Sequence, residues 1–257
     1  TLPLGAVLTL PATGSEMNAF SVISREETGE KLGWGHPSVM PRFSVLDPET
    51  TFSLPARQVG NGIVDAFVHV LEQYLTFPAE APLQDRLAES VLATLVEIAP
   101  QAMAVPPDYQ ARANLMWCAT LALNGLIGQG VPQDWTTHMI GHELTALTGI
   151  DHARTLAAVW PGVMAVKREA KRAKLVQFAA RVWNLTEGTE DQRIDGAIAA
   201  TRAFFQSVGV PSGLAGYELS TGLAPVVAQR LSERGGLPLG ENGDIDAATV
   251  QRILEAA

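Results

Sequence analysis

Two pairs of side chains spaced four residues apart carry most of the chemistry written in this sequence. Asp65 and His69 form the first, within Gly60-Asn61-Gly62-Ile63-Val64-Asp65-Ala66-Phe67-Val68-His69-Val70-Leu71-Glu72, and His138 and His142 form the second, within Thr136-Thr137-His138-Met139-Ile140-Gly141-His142. On a helix, residues four apart lie about 40° apart around the axis and one turn along it, so each pair looks into one space. Beyond the second pair, Thr148-Gly149 is a helix stop and Asp151 a helix N-cap, which makes His152 the first residue of the next helix. That break can swing His152 back toward His138. Asp65 sits among Ile63, Ala66, Phe67 and Val70 with no Lys or Arg on the neighbouring turns. A carboxylate in such a setting needs hydrogen bonds or a counter-ion, and a metal ion would neutralise it. Asp65, His69, His138 and His152 together offer one carboxylate oxygen and three imidazole nitrogens, a donor set suited to Fe(II) or Zn(II) and unsuited to calcium or magnesium. Pairs at this spacing also arise by chance as core polar groups. Four protein ligands around zinc usually close a structural site, but His and Asp in place of Cys favour catalysis, and a five-coordinate intermediate could admit a substrate oxygen.

The elements that must position these groups follow from the period of the apolar residues. In the first fifty residues, Gly5–Leu10, Phe20–Ser24 and Arg42–Leu46 are short β-branched or aromatic runs bounded by turn residues, as strands are. Thr28-Gly29 turns a hairpin between Phe20–Arg25 and Glu30–Leu32, Gly33–Pro37 is a glycine-rich loop carrying a solvent-facing His36, and Asp47-Pro48 ends the β region. From Leu54-Pro55 onward the period becomes helical. Helices are expected over Pro55–Tyr74, Pro82–Ala104, Asp108–Leu126, Pro132–Leu147, Asp151–Lys167, Arg168–Trp183, Glu190–Ser207, Ser220–Arg234 and Asp246–Ala256. The basic run Lys167–Lys174 reads as a solvated helix face beside the apolar stripe of Leu175, Phe178 and Val182. Cys118 reads as a small buried hydrophobe.

Composition narrows the partners. A formal net charge of −9 and a pI near 5.0 disfavour broad binding to nucleic acid or anionic membranes and leave a small molecule as the expected partner. With one cysteine the chain can form no internal disulfide and no Cys-rich zinc module, which is compatible with a reducing cytoplasm, the expected location. No run of about 18 apolar residues predicts a membrane span, and Thr1–Leu10 lacks a signal-peptide signature. The chain opens on Thr and runs directly into a strand-like segment, so it reads as a piece of a longer protein.

The run Asn61–Glu72 resembles the G-x-x-D-A-x-x-H-x-x-E motif of the metal-dependent, iron-containing alcohol dehydrogenases, and His138–His152 resembles their H-x-x-x-H motif followed by a further histidine. Thr9-Leu10-Pro11-Ala12-Thr13-Gly14-Ser15-Glu16 is similar to the family's T-G-S-E segment, and Leu46-Asp47-Pro48 with Ser53-Leu54-Pro55 to its passage into the helical domain. The resemblance spans essentially the whole chain, and His138-Met139-Ile140-Gly141-His142-Glu143-Leu144-Thr145-Ala146 is most similar to the branch of NADPH-dependent aldehyde reductases and butanol dehydrogenases. It implies a mainly α fold of the dehydroquinate synthase-like type. Residues 1–50 would be the last strands of a truncated α/β nucleotide-binding domain, and residues 51–257 an all-helical metal-binding catalytic domain. It also implies that Asp65, His69, His138 and His152 bind the metal, Fe(II) or Zn(II). His142 would face the nicotinamide and substrate, and Thr9, Thr13, Gly14 and Ser15 would touch the cofactor, NADP(H) in preference to NAD(H). The implied activity is metal-assisted hydride transfer between a nicotinamide and a small alcohol or aldehyde, in a homodimer. One departure is the absence of a G-x-G-x-x-G phosphate loop, which leaves cofactor affinity of this chain alone in question. A metal-dependent hydrolase is a rival reading, although the chain lacks H-E-x-x-H and carries Asp151-His152 in the reverse of the phosphohydrolase order. A non-catalytic helical module is another, and a lyase on the related dehydroquinate synthase fold a third, the last short of basic residues for a phosphate-bearing substrate.

Overall fold

The computed structural model describes residues 2–257. Among them the fold is mainly helical, as expected. Nine helices follow a short β region: α1 (Ala56–Tyr74), α2 (Pro82–Ala102), α3 (Tyr109–Leu123), α4 (Thr136–Thr148), α5 (His152–Lys167), α6 (Arg172–Arg181), α7 (Glu190–Ser207), α8 (Ala224–Glu233) and α9 (Ala247–Glu255). Every helix expected from periodicity is present, with ends trimmed where local chemistry intervenes. The fourth begins at Thr136 and not at Pro132, because Trp135 takes a left-handed conformation (φ 61°) and the Asp134 carboxylate accepts the Thr136 backbone N–H at 3.2 Å. It ends where Gly149 adopts φ 72°, as the Thr148-Gly149 stop predicts.

The β region consists of two separate pairs. Strands β1 (Gly5–Val7) and β4 (Phe43–Val45) run parallel, while β2 (Phe20–Arg25) and β3 (Glu30–Gly35) form an antiparallel hairpin. The expected loop at Gly33–Pro37 needs correction: Gly33, Trp34 and Gly35 extend β3 by pairing with Val22, Ser21 and Phe20, so ladder hydrogen bonding overrides the low strand propensity of glycine. His36 is exposed, as expected.

Helix α1 is the axle of the molecule. Its residues from Val59 to Tyr74 are all buried, the mark of a helix covered on every side, and it packs against α2, α3 and α5. Phe67 anchors it in an aromatic cluster with Trp183, Phe204 and Phe205 at centroid distances of 6.4, 5.1 and 5.7 Å. Close approach is possible because α1 carries glycines where backbone meets backbone. A Cβ on Gly62 would lie 2.2 Å from the Pro11 carbonyl oxygen, so the Thr9–Glu16 loop crosses the helix three residues before Asp65.

The basic run is a solvated face only in part: Glu169 is exposed and Arg168 and Arg172 partly so, but the lysines are not. Lys167, Lys171 and Lys174 are buried, each in an ion pair: with Asp244 at 2.5 Å, with Asp134 and Glu241 at 2.9 and 2.8 Å, and with Asp85 at 2.5 Å. Lys171 also donates to the Leu75 carbonyl at 2.6 Å, tying together the end of α1, the approach to α4 and the segment before α9. Cys118 is buried, as expected.

Candidate metal centre

Helices α1, α4 and the start of α5 converge on one small volume. The four-residue spacing on α1 aims Asp65 and His69 the same way, and the ligand atoms of Asp65, His69 and His138 lie within 4.8 Å of one another, all three residues buried. The α4–α5 break returns His152 to this cluster, its Nε2 3.7 Å from Asp65 Oδ1, while His69 Nδ1 is 3.8 Å from Asp65 Oδ2. Asp151 occupies the N-cap position of α5, but its carboxylate does not cap the helix; it accepts from Arg57 Nε and Asn61 Nδ2, each at 2.8 Å, which fixes the α5 start against α1.

The cluster has free valences inside the protein. Asp65 Oδ1, His69 Nδ1, His138 Nε2 and His152 Nδ1 are buried without a hydrogen-bond partner. Buried polar atoms are normally satisfied, and the orphans of Asp65, His69 and His138, three residues whose ligand atoms lie within 4.8 Å of one another, call for an ion or ligand; His152 faces Asp65 with Nε2, and its orphan is the other ring nitrogen. The protonation states agree. Burial pushes His69 and His138 down to about 4, His142 to about 3 and His152 well below the ordinary value, leaving neutral imidazoles with lone pairs at neutral pH. The residues therefore fit a divalent metal: one carboxylate side chain, neutral imidazole nitrogens, and no thiol.

His142 lies one turn beyond His138, its ring 6.2 Å from His138 and 4.8 Å from His152 by centroid. It is partly exposed, at the rim of the cluster. Thr9, Thr13 and Ser15 are exposed, and Gly14, at φ 60°, is buried where the loop turns against α3. Asn18 Nδ2 holds that loop by donating to the Thr13 and Leu123 carbonyls at 2.9 and 3.3 Å. The structure thus gathers Asp65, His69, His138, His142 and His152, and sets the Thr9–Ser15 loop on the neighbouring turn of α1.

Three residues at the site were not legible as participants. Glu72, one turn beyond His69, turns its buried carboxylate onto α4, where Oε2 meets His138 Nδ1 and Oε1 accepts the Thr137 N–H at 2.5 Å. Burial and the nearby Asp134 push its carboxyl up to about 8 in the absence of a cation. The spacing Asp65, His69, Glu72 on one helix face was the available signal. Trp135 packs its ring against His69 and His138 at 6.2 and 5.3 Å, held there by its left-handed backbone. Lys31 on β3 is half-buried and its charge is felt at His138, His142 and His152. The hairpin is pinned over α4 because buried Glu143 pairs with Arg230 (2.6 Å) and Arg234, and Arg230 also donates to the Gly29 carbonyl.

Comparison with known proteins agrees with this geometry. Residues 60–257 match the family described as Fe-containing alcohol dehydrogenase family, C-terminal, and residues 1–48 match the iron-containing alcohol dehydrogenase family. The chain is 58% identical to the NADPH-dependent aldehyde reductase YqhD of Escherichia coli, covering 100% of this chain and 66% of that protein. It superimposes on the crystal structure of E. coli YqhD with a TM-score of 0.97 at 57% identity, and on NADH-dependent butanol dehydrogenase A from Thermotoga maritima with a TM-score of 0.93 at 32% identity. In both cases 100% of this chain and 66% of the other is covered, so the chain spans just under two thirds of these relatives' length.

Proposed function

Because the chain belongs to the iron-containing alcohol dehydrogenase family, we propose that it is the metal-binding part of an NAD(P)H-linked alcohol dehydrogenase or aldehyde reductase, with Asp65, His69, His138 and His152 holding Fe(II), or Zn(II) in its place. The convergence of Asp65, His69 and His138, each with a buried unpartnered donor atom, with His152 Nε2 3.7 Å from Asp65 Oδ1, carries this reading. When bound, the metal would supply Lewis-acid polarisation of a substrate oxygen, and the nicotinamide would supply the hydride chemistry. The residues around it do the rest. His142, neutral and at the rim, receives a proton on one nitrogen while giving one from the other, which suits a relay to the alcohol oxygen. Trp135 excludes water from the His69 and His138 side of the cluster. Thr9, Thr13, Gly14 and Ser15 form the cofactor-facing loop, with hydroxyls for phosphate or ribose and a glycine permitting close approach. Lys31 adds a positive charge on the hairpin side, which suits an anionic dinucleotide.

Residues 1–50 are proposed as the last strands of a nucleotide-binding α/β domain and residues 51–257 as the catalytic domain, the activity belonging to a longer protein that supplies the remainder. The parallel β1–β4 pair supports this, since parallel pairs belong to sheets covered on both faces, yet Val7, Phe43 and Val45 are exposed. NADP(H) is preferred over NAD(H) on the similarity to an NADPH-dependent reductase. The substrates are small alcohols and aldehydes, the assembly is a homodimer, and the location is cytoplasmic; no helix among the described residues is long and apolar enough to cross a membrane. The test is an assay of the longer protein with short aldehydes and NADPH or NADH. Aldehyde-dependent oxidation of NADPH, lost in Asp65→Ala and reduced at least tenfold in His142→Gln with metal content unchanged, is expected; no turnover with either cofactor would defeat the reading.

A further inference from the structure

We propose that Glu72 is a positioning residue that fixes the tautomer of His138, and so decides whether that imidazole offers a lone pair to the site. The inference rests on the metal reading above, but its core concerns hydrogen-bond donors and acceptors already visible in this chain. The Glu72 carboxylate has two oxygens with two separate duties. Oε1 accepts the Thr137 backbone N–H, a donor fixed in the first turn of α4, and Oε2 meets His138 Nδ1. When the Glu72 carboxyl is ionised both oxygens accept, and His138 then carries its proton on Nδ1. Its other nitrogen, Nε2, is the buried orphan that faces Asp65 and His69, and in this tautomer it presents a lone pair. Glu72 is itself buried at 4% exposure, so water is in no position to substitute for either contact. A cation beside the imidazole further favours the ionised carboxylate that the arrangement needs. The same carboxylate therefore links the end of α1 to the start of α4 and orients one donor of the cluster those helices share.

Glutamine in place of Glu72 separates this role from simple packing, because it preserves shape while turning one acceptor into a donor. Thr137 N–H keeps a claim on the amide oxygen, so the amide NH₂ faces His138 Nδ1, which must then accept, and the proton moves to Nε2. Two readouts on the 257-residue chain test this. Nitrogen-15 NMR of the metal-free protein at pH 9 reports the His138 tautomer directly. Nδ1–H is expected in the wild type and Nε2–H in Glu72→Gln; Nε2–H in the wild type, or Nδ1–H retained in a folded Glu72→Gln, would overturn the proposal. The wild-type spectrum decides the matter even if the variant does not fold. Co(II) titration followed by visible absorption is the second readout, with binding 10- to 100-fold weaker expected in Glu72→Gln. Unchanged affinity in Glu72→Gln would overturn the positioning role, whereas unchanged binding in Asp65→Ala would overturn the metal reading and leave the tautomer measurement to judge Glu72 on its own.

Discussion

At the scale of single residues, the site is a contest between burial and charge. His69 and His138 are held neutral because their surroundings disfavour the imidazolium, and Glu72 is pushed the other way by the same burial. These shifts act on stability with opposite signs in the metal-free protein. An unfolded chain protonates its histidines below pH 6.5, whereas folded His69 and His138 resist protonation until about 4. Stability therefore falls as pH drops from 6.5 toward 4, by about 1.4 kcal/mol per pH unit for each histidine. Glu72 binds its proton in the folded state up to about 8, against 4.5 when unfolded, so its contribution is lost as pH rises toward 8. Thermal unfolding of the metal-free protein is expected to peak near pH 6.5, with the decline on the alkaline side absent in Glu72→Gln; the same decline in wild type and variant would contradict this assignment. The four candidate ligands were legible because their spacing is a property of sequence. Glu72, Trp135 and Lys31 were not. Glu72 reaches its partner across a helix interface, Trp135 depends on a backbone conformation, and Lys31 arrives from a hairpin far away in the chain.

At the scale of elements, helix periods and stop signals recovered α1 to α9 and the α4–α5 break, because capping and amphipathicity are local. What they could not reveal is which polar surface ends up covered. Lys167–Lys174 reads as a solvated face from its composition, and its three lysines become buried because Asp85, Asp134, Glu241 and Asp244, all distant in sequence, supply their counter-charges. Lys171→Met distinguishes these readings. Removing a buried cation strands two buried carboxylates and is expected to cost about 3–5 kcal/mol in chemical denaturation; a loss within about 0.5 kcal/mol would match an exposed lysine. Gly62 makes a related point about α1. A methyl group there meets the Pro11 carbonyl at 2.2 Å, so Gly62→Ala is expected to destabilise by about 1–3 kcal/mol and to displace the Thr9–Ser15 loop. Full stability in that variant would show that the loop does not seat on α1 as described.

At the scale of the whole molecule, the helical part buries a continuous core while the first fifty residues leave Val7, Phe20, Ile23, Trp34 and Phe43 exposed. That asymmetry matches a chain spanning just under two thirds of its relatives' length. The proposed metal ligands all lie within the described residues, and the cofactor's share of the chemistry is proposed for a longer protein. Metal binding by these residues is testable in this chain alone. The direct measurement is metal stoichiometry by elemental analysis after loading with Fe(II) or Zn(II) and exhaustive buffer exchange, in the wild type and in Asp65→Ala. About one ion per wild-type chain, with the variant retaining essentially none while keeping its helical circular-dichroism spectrum, is the predicted result; equal metal content in the two proteins would contradict the account.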